Sequence, residues 1–180
     1  MKYIILGLLI VIVFILAVMV ILIKYNSDKL KDLMIKINEA EENINILVNK
    51  KIELILNINN CIEDKSLDIK VDNIDEITNK ELNIYEQNRI LNNCYNQILE
   101  IVDYNNNVIL DDEEYKNVKR LKDISISLNG VQNYYNDNVN ILNNYINKFP
   151  TNLITKSKKL KKRELFVNEK NEIFEILKNE

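Results

Sequence analysis

Residues 30–61 read LKDLMIKINEAEENINILVNKKIELILNINNC. Leu30, Leu33, Ile37, Ala40, Ile44, Leu47, Leu54, Ile58 and Cys61 follow one another at alternating steps of three and four. That spacing places all of them on one stripe of an α-helix of about ten turns, and the stripe must be buried. Lys51 is the single break, and Ile52 and Ile55 carry the stripe past it. Ser27 or Asp28 offers a cap at the start, unless the helix runs through from the segment before it.

That preceding segment is Tyr3 to Ile23, 21 positions without a charge and nearly all aliphatic. A bilayer core of ~30 Å needs about 20 such residues in a helix. A cleaved secretory signal has a shorter apolar core, closed by a small-x-small site. Here Ala17 is followed two residues on by Met19, so the expectation is an uncleaved anchor. Lys24, Lys29, Lys31 and Lys36 flank the run on one side and Lys2 on the other. The positive-inside rule then places the C-terminal domain in the cytoplasm, with an extracytoplasmic domain as the alternative.

The stripe pattern recurs downstream. Ile74, Ile77, Ile84, Leu91, Ile98 and Val102, flanked by Tyr85, Cys94 and Tyr95, predict a second helix over 74–104, after a polar loop at 63–73. Asn105, Asn106 and Asn107 end it, because Asn favours turns. Val118, Leu121, Ile124, Leu128, Val131, Tyr135, Leu142, Tyr145 and Phe149 predict a third helix from Asp111 until Pro150 stops it. Gly130 inside it marks a close helix contact. A weaker segment follows from Thr151, then a short helix carrying Ile173, Phe174, Ile176 and Leu177. The expected fold is all-α: a transmembrane helix, then an antiparallel up-and-down four-helix bundle with long coiled-coil-like helices. The expected organisation is an anchor at 1–24, a bundle domain at 25–166 and a C-terminal helical extension at 167–180.

Composition agrees. The 180 residues include 2 Gly and 1 Pro, too few for the turns of a sandwich or barrel. They include no His, which removes the commonest general base, His-ligated metals and His-dependent triads. The 31 Asn and 30 Ile read as the codon bias of an AT-rich genome; the Asn residues are spread over helix faces and form no prion-like tract. Without Lys2 the chain has 23 basic and 27 acidic residues, unlike the strongly basic nucleic-acid binders, so no nucleic-acid partner is expected.

Ala40 to Asn59, AEENINILVNKKIELILNIN, resembles the signature of LemA family proteins. That signature is an Ala-x-x-x-Ile stretch, a Leu, two Arg and a Leu-Ile-Pro-Asn-Leu stretch. Ala40, Ile44, Leu54, Ile55 and Asn57 match, and Lys50 and Lys51 stand where the paired Arg would be. Val48 and Ile58 replace Leu, and Leu56 replaces Pro. Tyr135-Asn136, Val139, Asn143, Ile146 and Phe149-Pro150 resemble the family's Tyr-Asn motif and Phe-Pro, with Leu153-Ile154 and Phe166 extending the match and Tyr25-Asn26 fitting upstream. Gln132 and Ser125 stand where the family tends to have Arg and Glu, and Leu142 replaces a second Tyr. The resemblance implies a divergent, single-pass bacterial membrane protein with an up-and-down helical bundle and no defined chemistry.

The candidate contacts for an anionic ligand or a partner are Lys50 and Lys51 and the cluster Lys156, Lys158, Lys159, Lys161, Lys162 and Arg163, six basic residues in eight. Lys51 falls on the seam, where a charge is costly unless paired with an acid or led outward along its stem. If successive helices alternate direction, Phe149 is distal and the cluster starts far from the anchoring leaflet; it reads as a solvated helix end unless the last segment folds back. A hairpin about residue 69 separates Cys61 and Cys94 by about 25 Å, too far for a disulfide. Asp111, Asp112, Glu113 and Glu114 read as a helix N-terminus rather than a cation site. Tyr95, Tyr135 and Tyr145 read as core residues with a hydroxyl at the edge.

No nucleophile–base pair, phosphate loop or metal cluster is visible, so no enzyme, cofactor or metal is expected. The expected function is a non-enzymatic interaction or scaffold module at the membrane. Its partners are the bilayer through Tyr3 to Ile23 and other copies or membrane proteins. The alternative is a ligand- or lipid-binding sensor that uses an interhelical pocket or the basic cluster.

Overall fold

In the computed structural model the described residues are 2–65, 70–79, 81–104 and 111–166. They form four α-helices: α1 (Lys2–Lys65), α2 (Ile84–Tyr104), α3 (Asp112–Tyr145) and α4 (Thr151–Ser157), with a short 3-10 helix at Ile74–Thr78. The expected all-α class stands. The chain divides into two compact units. One comprises Met1–Ala40 and Tyr134–Leu165; the other comprises Glu41–Asn133 and Phe166–Glu180. The predicted C-terminal helix at 173–177, the 167–180 extension and the Asn105–Asn107 turn lie outside the described residues.

α1 passes Ser27 and Asp28 without a cap and continues to Lys65, beyond the loop expected from residue 63. Residues 3–23 of α1 are apolar and, apart from the half-buried Met19 and Ile23, exposed, and this is the one helix among the described residues long and apolar enough to cross a membrane. In the second unit the α1 stripe runs through Ile44, Val48, Lys51, Ile55, Ile58 and Ile62. It has moved one residue from the Leu47, Leu54, Cys61 register, because a straight 3.6-residue helix drifts by about 20° per heptad against a 3.5 repeat. A register test follows. Ile55→Ala should cost about 2–5 kcal/mol in chemical denaturation, whereas Leu54→Ala, at a half-buried neighbour, should cost clearly less.

The α3 seam keeps strict three-four spacing through Val118, Leu121, Ser125, Leu128 and Gln132 in the second unit, and Tyr135, Val139 and Leu142 in the first. The polar Ser125 and Gln132 hold positions that apolarity alone assigns to Ile124 and Val131. Gly130 faces open space: a Cβ built there meets nothing within 4 Å, so no close helix contact requires it. Gly130→Ala should raise stability by about 1 kcal/mol, read from a urea midpoint.

The second helix starts ten residues later than its periodicity suggests. Asn83 Oδ1 accepts from the backbone N–H groups of Tyr85 (3.1 Å) and Glu86 (2.9 Å), which makes Asn83 the cap of α2. Within the second unit, Lys65 pairs with Glu114 while Lys51 lies over Tyr95, which neighbours Ser125, so α3 runs antiparallel to α1. Gln132 Nε2 donates to Asn88 Oδ1 (2.8 Å) and Lys122 meets Asp103 (3.8 Å), so α3 is also antiparallel to α2. α1 and α2 are therefore parallel, which the Lys51–Asn92 contact confirms. The α1–α2 connection is a crossover, not a hairpin about residue 69. Its described part returns beside α2, with Asp72 N donating to Gln97 Oε1 (2.8 Å) and Gln87 Nε2 to the Ile77 carbonyl (2.9 Å). A polar crossover can lie along a helix because its backbone groups find these side-chain partners.

The crossover reverses the directional argument for the basic cluster. In the first unit, Lys29 Nζ lies 5.0 Å from the centre of the Tyr145 ring. Thr151 Oγ1 donates to Asn26 Oδ1 at 3.4 Å. The α3 end, the 146–150 turn and α4 thus stand beside the residues that follow the apolar run of α1. Phe149 is proximal, not distal.

Candidate functional site: a basic tip and a buried polar layer

The helix ends build the first candidate site. α3 stops at Tyr145, five residues before Pro150, and the chain turns through 146–150 into α4. Thr155 Oγ1 donates to the Ile146 carbonyl (3.0 Å) and ties α4 to that turn. Thr151, Ile154 and Thr155 face inward, whereas Phe149 (66% exposed) and Leu153 (49%) face out.

α4 ends in a Schellman pattern: Leu160 N donates to the Thr155 carbonyl (3.0 Å) and Lys159 N to the Lys156 carbonyl (3.1 Å). The position that requires left-handed backbone is Lys159, with φ 52°. Glycine takes that conformation freely, whereas a side chain there costs about 1–2 kcal/mol. The basic residues therefore form a helix end only in part. Lys156 lies in the last turn of α4, Lys158 and Lys159 in the turn after it, and Lys161 and Lys162 on the irregular segment that follows.

Arg163 plays a different part. Asn143 Nδ2 donates to its carbonyl (2.9 Å), its N–H donates to Asn143 Oδ1 (3.0 Å), and its guanidinium reaches Asn38 Oδ1 (3.1 Å). It fastens the irregular segment to α3 and α1. A cavity of about 430 Å³ opens beside Asn147, Asn152, Lys156, Lys159 and Lys161.

The second candidate site lies in the other unit. Lys51 is buried, 1% exposed; its ammonium donates to Asn92 Oδ1 (2.7 Å) and stands 4.7 Å from the centre of the Tyr95 ring. An amide oxygen and an aromatic face thus stand beside the buried ammonium. Burial pushes the Tyr95 phenol up, against a smaller downward influence from the neighbouring Ser125 hydroxyl. Ser125 Oγ and Gln132 Oε1 are buried and lack partners in hydrogen-bond geometry. The Ser125 influence on Tyr95 is therefore proximity rather than a formed bond, since the donor–acceptor geometry is not met. Lys50 is separate from this layer. It lines an open groove of about 320 Å³ with Glu53, Arg120 and Asp123, whose mixed signs do not select an anion. Lys50 and Lys51 share no site.

The acidic run is a cap. Asp111 Oδ1 accepts from the N–H groups of Glu113 and Glu114, both at 2.9 Å, and Asp111 N donates back to Glu114 Oε2 (2.7 Å). The Glu114 N–H, then that of Glu113, hold the Asp111 carboxyl below its usual value. Lys65, then the Asp111 N–H, do the same for Glu114. Both groups favour folding when ionised. Their contribution is present above the unfolded carboxylate values and is lost as pH falls through the lowered folded ones. Urea midpoints should therefore decline below about pH 4.5, and Glu114→Gln should flatten that decline.

Among the described residues no three His, Cys, Asp or Glu side chains converge to hold a metal. Cys61 and Cys94 are both free. Cys94 stands at the level of Lys51, which places Cys61 roughly 13 Å further along the bundle rather than 25 Å. Burial pushes both thiols up, with Glu114 adding to the effect at Cys61.

Against known proteins, the model of the LemA family matches residues 83–176, 94 of the 180 residues. No curated protein and no solved structure matches. The matched span holds the Tyr135-Asn136, Phe149-Pro150 and Phe166 motifs, whereas the Ala40–Asn59 segment lies outside it.

Proposed function

We propose that this chain, which belongs to the LemA family, is a single-pass membrane protein that acts without catalysis, as an interaction module held at the bilayer with its bundle on the cytoplasmic side. One observation carries the reading: α1 bears both the span-length apolar run and the packing stripe that follows it, so anchor and bundle share one helix. The non-catalytic part is supported by the structural employment of the reactive groups. Asp111 and Glu114 cap α3, both thiols are pushed up, and Lys51 is bound inside the core. The stripes that suggest self-association are buried within the chain, so association must use the outer faces or the tip.

Sidedness tests the reading. Lys158→Cys, in a Cys61→Ala, Cys94→Ala background, is exposed to an impermeant thiol reagent in intact cells. Protection until lysis is the expected result. Labelling before lysis places the bundle outside and overturns the orientation.

A second reading, a lipid-binding module, is favoured by the placement of the basic turn beside Asn26.

A further inference from the structure

We propose that the 146–150 turn, α4 and the turn after it form a lipid-contact surface, in which Phe149 and Leu153 enter the interface of the bilayer crossed by α1 while Lys156, Lys158 and Lys159 bind the phosphates of its anionic phospholipids. The proposal deepens the lipid-binding reading and rests on α1 as a span.

Depth is the first argument. The apolar run ends at Ile23, and Asn26 lies three residues, about 4.5 Å, further along the helix. The headgroup layer on each side of the hydrocarbon is about 5–7 Å deep. Thr151, bonded to Asn26, therefore stands within headgroup depth.

Composition of the tip is the second. Phe149 and Leu153 are exposed although neighbouring Thr151, Ile154 and Thr155 are buried, so the tip shows apolar side chains only on its outward side. Exposed apolar residues beside lysines match an interface, with acyl boundary below and phosphates around it. A free phosphate has no use for Phe149 or Leu153.

The third argument is Lys159. A Schellman turn needs left-handed backbone where lysine is strained and glycine is not. A charge kept at a strained position, on the rim of a cavity that also bears Lys156 and Lys161, points to a ligand that uses the charge. The chain as a whole carries net charge −3, so attraction to an anionic leaflet has to come from a local cluster such as this one.

The chain has no Trp, so one introduced indole reports a single position. Full-length Phe149→Trp is reconstituted in phosphatidylcholine vesicles, with and without phosphatidylglycerol, and probed with brominated phosphatidylcholine. Phe14→Trp, inside the apolar run, is the control for insertion. The expected result is quenching of both indoles, with the residue-149 signal blue-shifted and more quenched when phosphatidylglycerol is present. In K156Q/K158Q/K159Q, at about fivefold per lysine, the anionic-lipid preference should weaken roughly a hundredfold. Lys159→Gly should raise the thermal midpoint yet weaken that preference, a split that a purely structural lysine does not produce.

A quenched Phe14→Trp with an unquenched Phe149→Trp overturns the proposal and leaves the span standing. If neither is quenched, the span reading fails and the proposal with it. Quenching at 149 that ignores phosphatidylglycerol and the lysine substitutions overturns the phosphate contact. A shift produced by inorganic phosphate alone, before vesicles are added, reassigns the site to a free anion and overturns the lipid source.

Discussion

Asn92→Leu is expected to destabilise the chain by about 3 kcal/mol, enough to lower Tm by roughly 10 °C in a protein of this size. Lys51 is buried at 1% exposure, and its ammonium donates to the Asn92 amide oxygen at 2.7 Å. Taking a charge out of water costs several kcal/mol unless polar partners replace the lost hydration. Leucine removes that oxygen, while the face of Tyr95 stays beside the ammonium. A cation–π contact is worth about 2 kcal/mol when desolvated, so it offsets only part of the loss. Lys51→Met keeps the length of the side chain and removes the charge, but it leaves a half-buried amide to find another donor. K51M/N92L removes both needs, and the double variant should return to within about 1 kcal/mol of the parent, or exceed it. Thermal and urea denaturation of all four proteins closes the cycle. A double variant as unstable as the sum of the two singles would show that Lys51 and Asn92 do not act as a pair.

The same layer shows where sequence reading reaches and where it stops. Helix existence was legible because Leu30, Leu33, Ile37, Ala40 and Ile44 repeat at helical spacing and Gly and Pro are too few for the turns of a β-fold. The α3 register was harder to read. Ser125 and Gln132 occupy true seam positions, and a search for apolar residues steps aside to Ile124 and Val131. Holding the three-four spacing of Val118, Leu121, Leu128 and Tyr135 would have exposed both polar insertions. They fit because α2 brings Asn88 to Gln132 and Tyr95 beside Ser125, and such pairings join residues far apart in sequence. The direction of α2 was not legible at all. A polar stretch after Lys65 looks the same whether it forms a hairpin or a crossover, because side-chain bonds such as Asp72 to Gln97 leave no periodic trace. The direction of α2 bears on the function: an antiparallel α2 puts Phe149 at the distal end, whereas Thr151 and Asn26 are hydrogen-bonded. The six basic residues were visible as a cluster. Their division into exposed lysines and an Arg163 clamped by Asn143 and Asn38 depends on the tertiary contacts.

Tyr135→Ala is expected to cost about 3–5 kcal/mol, the range for emptying a large buried aromatic site. Tyr135 is fully buried, at 0% exposure, and is the largest side chain in the core. The first unit supplies the reason it fits. Lys29 of α1 lies against Tyr145 of α3, and moving ten residues in opposite directions along two antiparallel helices brings Tyr135 to the level of residues 39 and 40. Ala40 is buried there, at 2% exposure, so a small residue on one stripe leaves room for a large one on the other. Ala40→Leu should then overpack the site and cost about 1–3 kcal/mol by itself. The two changes act on the same space. Placed together, the leucine occupies volume vacated by the tyrosine, so the double variant should be less destabilised than the sum of the singles by about 1 kcal/mol or more. Additive effects would mean that Tyr135 and Ala40 do not share a layer, and the register between α1 and α3 would have to shift. That register also sets the height of the tip, since it brings Thr151 opposite Asn26. A shift of one helical turn, about 5.4 Å, is comparable with the depth of the headgroup layer and would move Phe149 relative to the phosphates. The Tyr135 cycle is therefore a stability measurement that also checks the geometry on which the lipid contact depends.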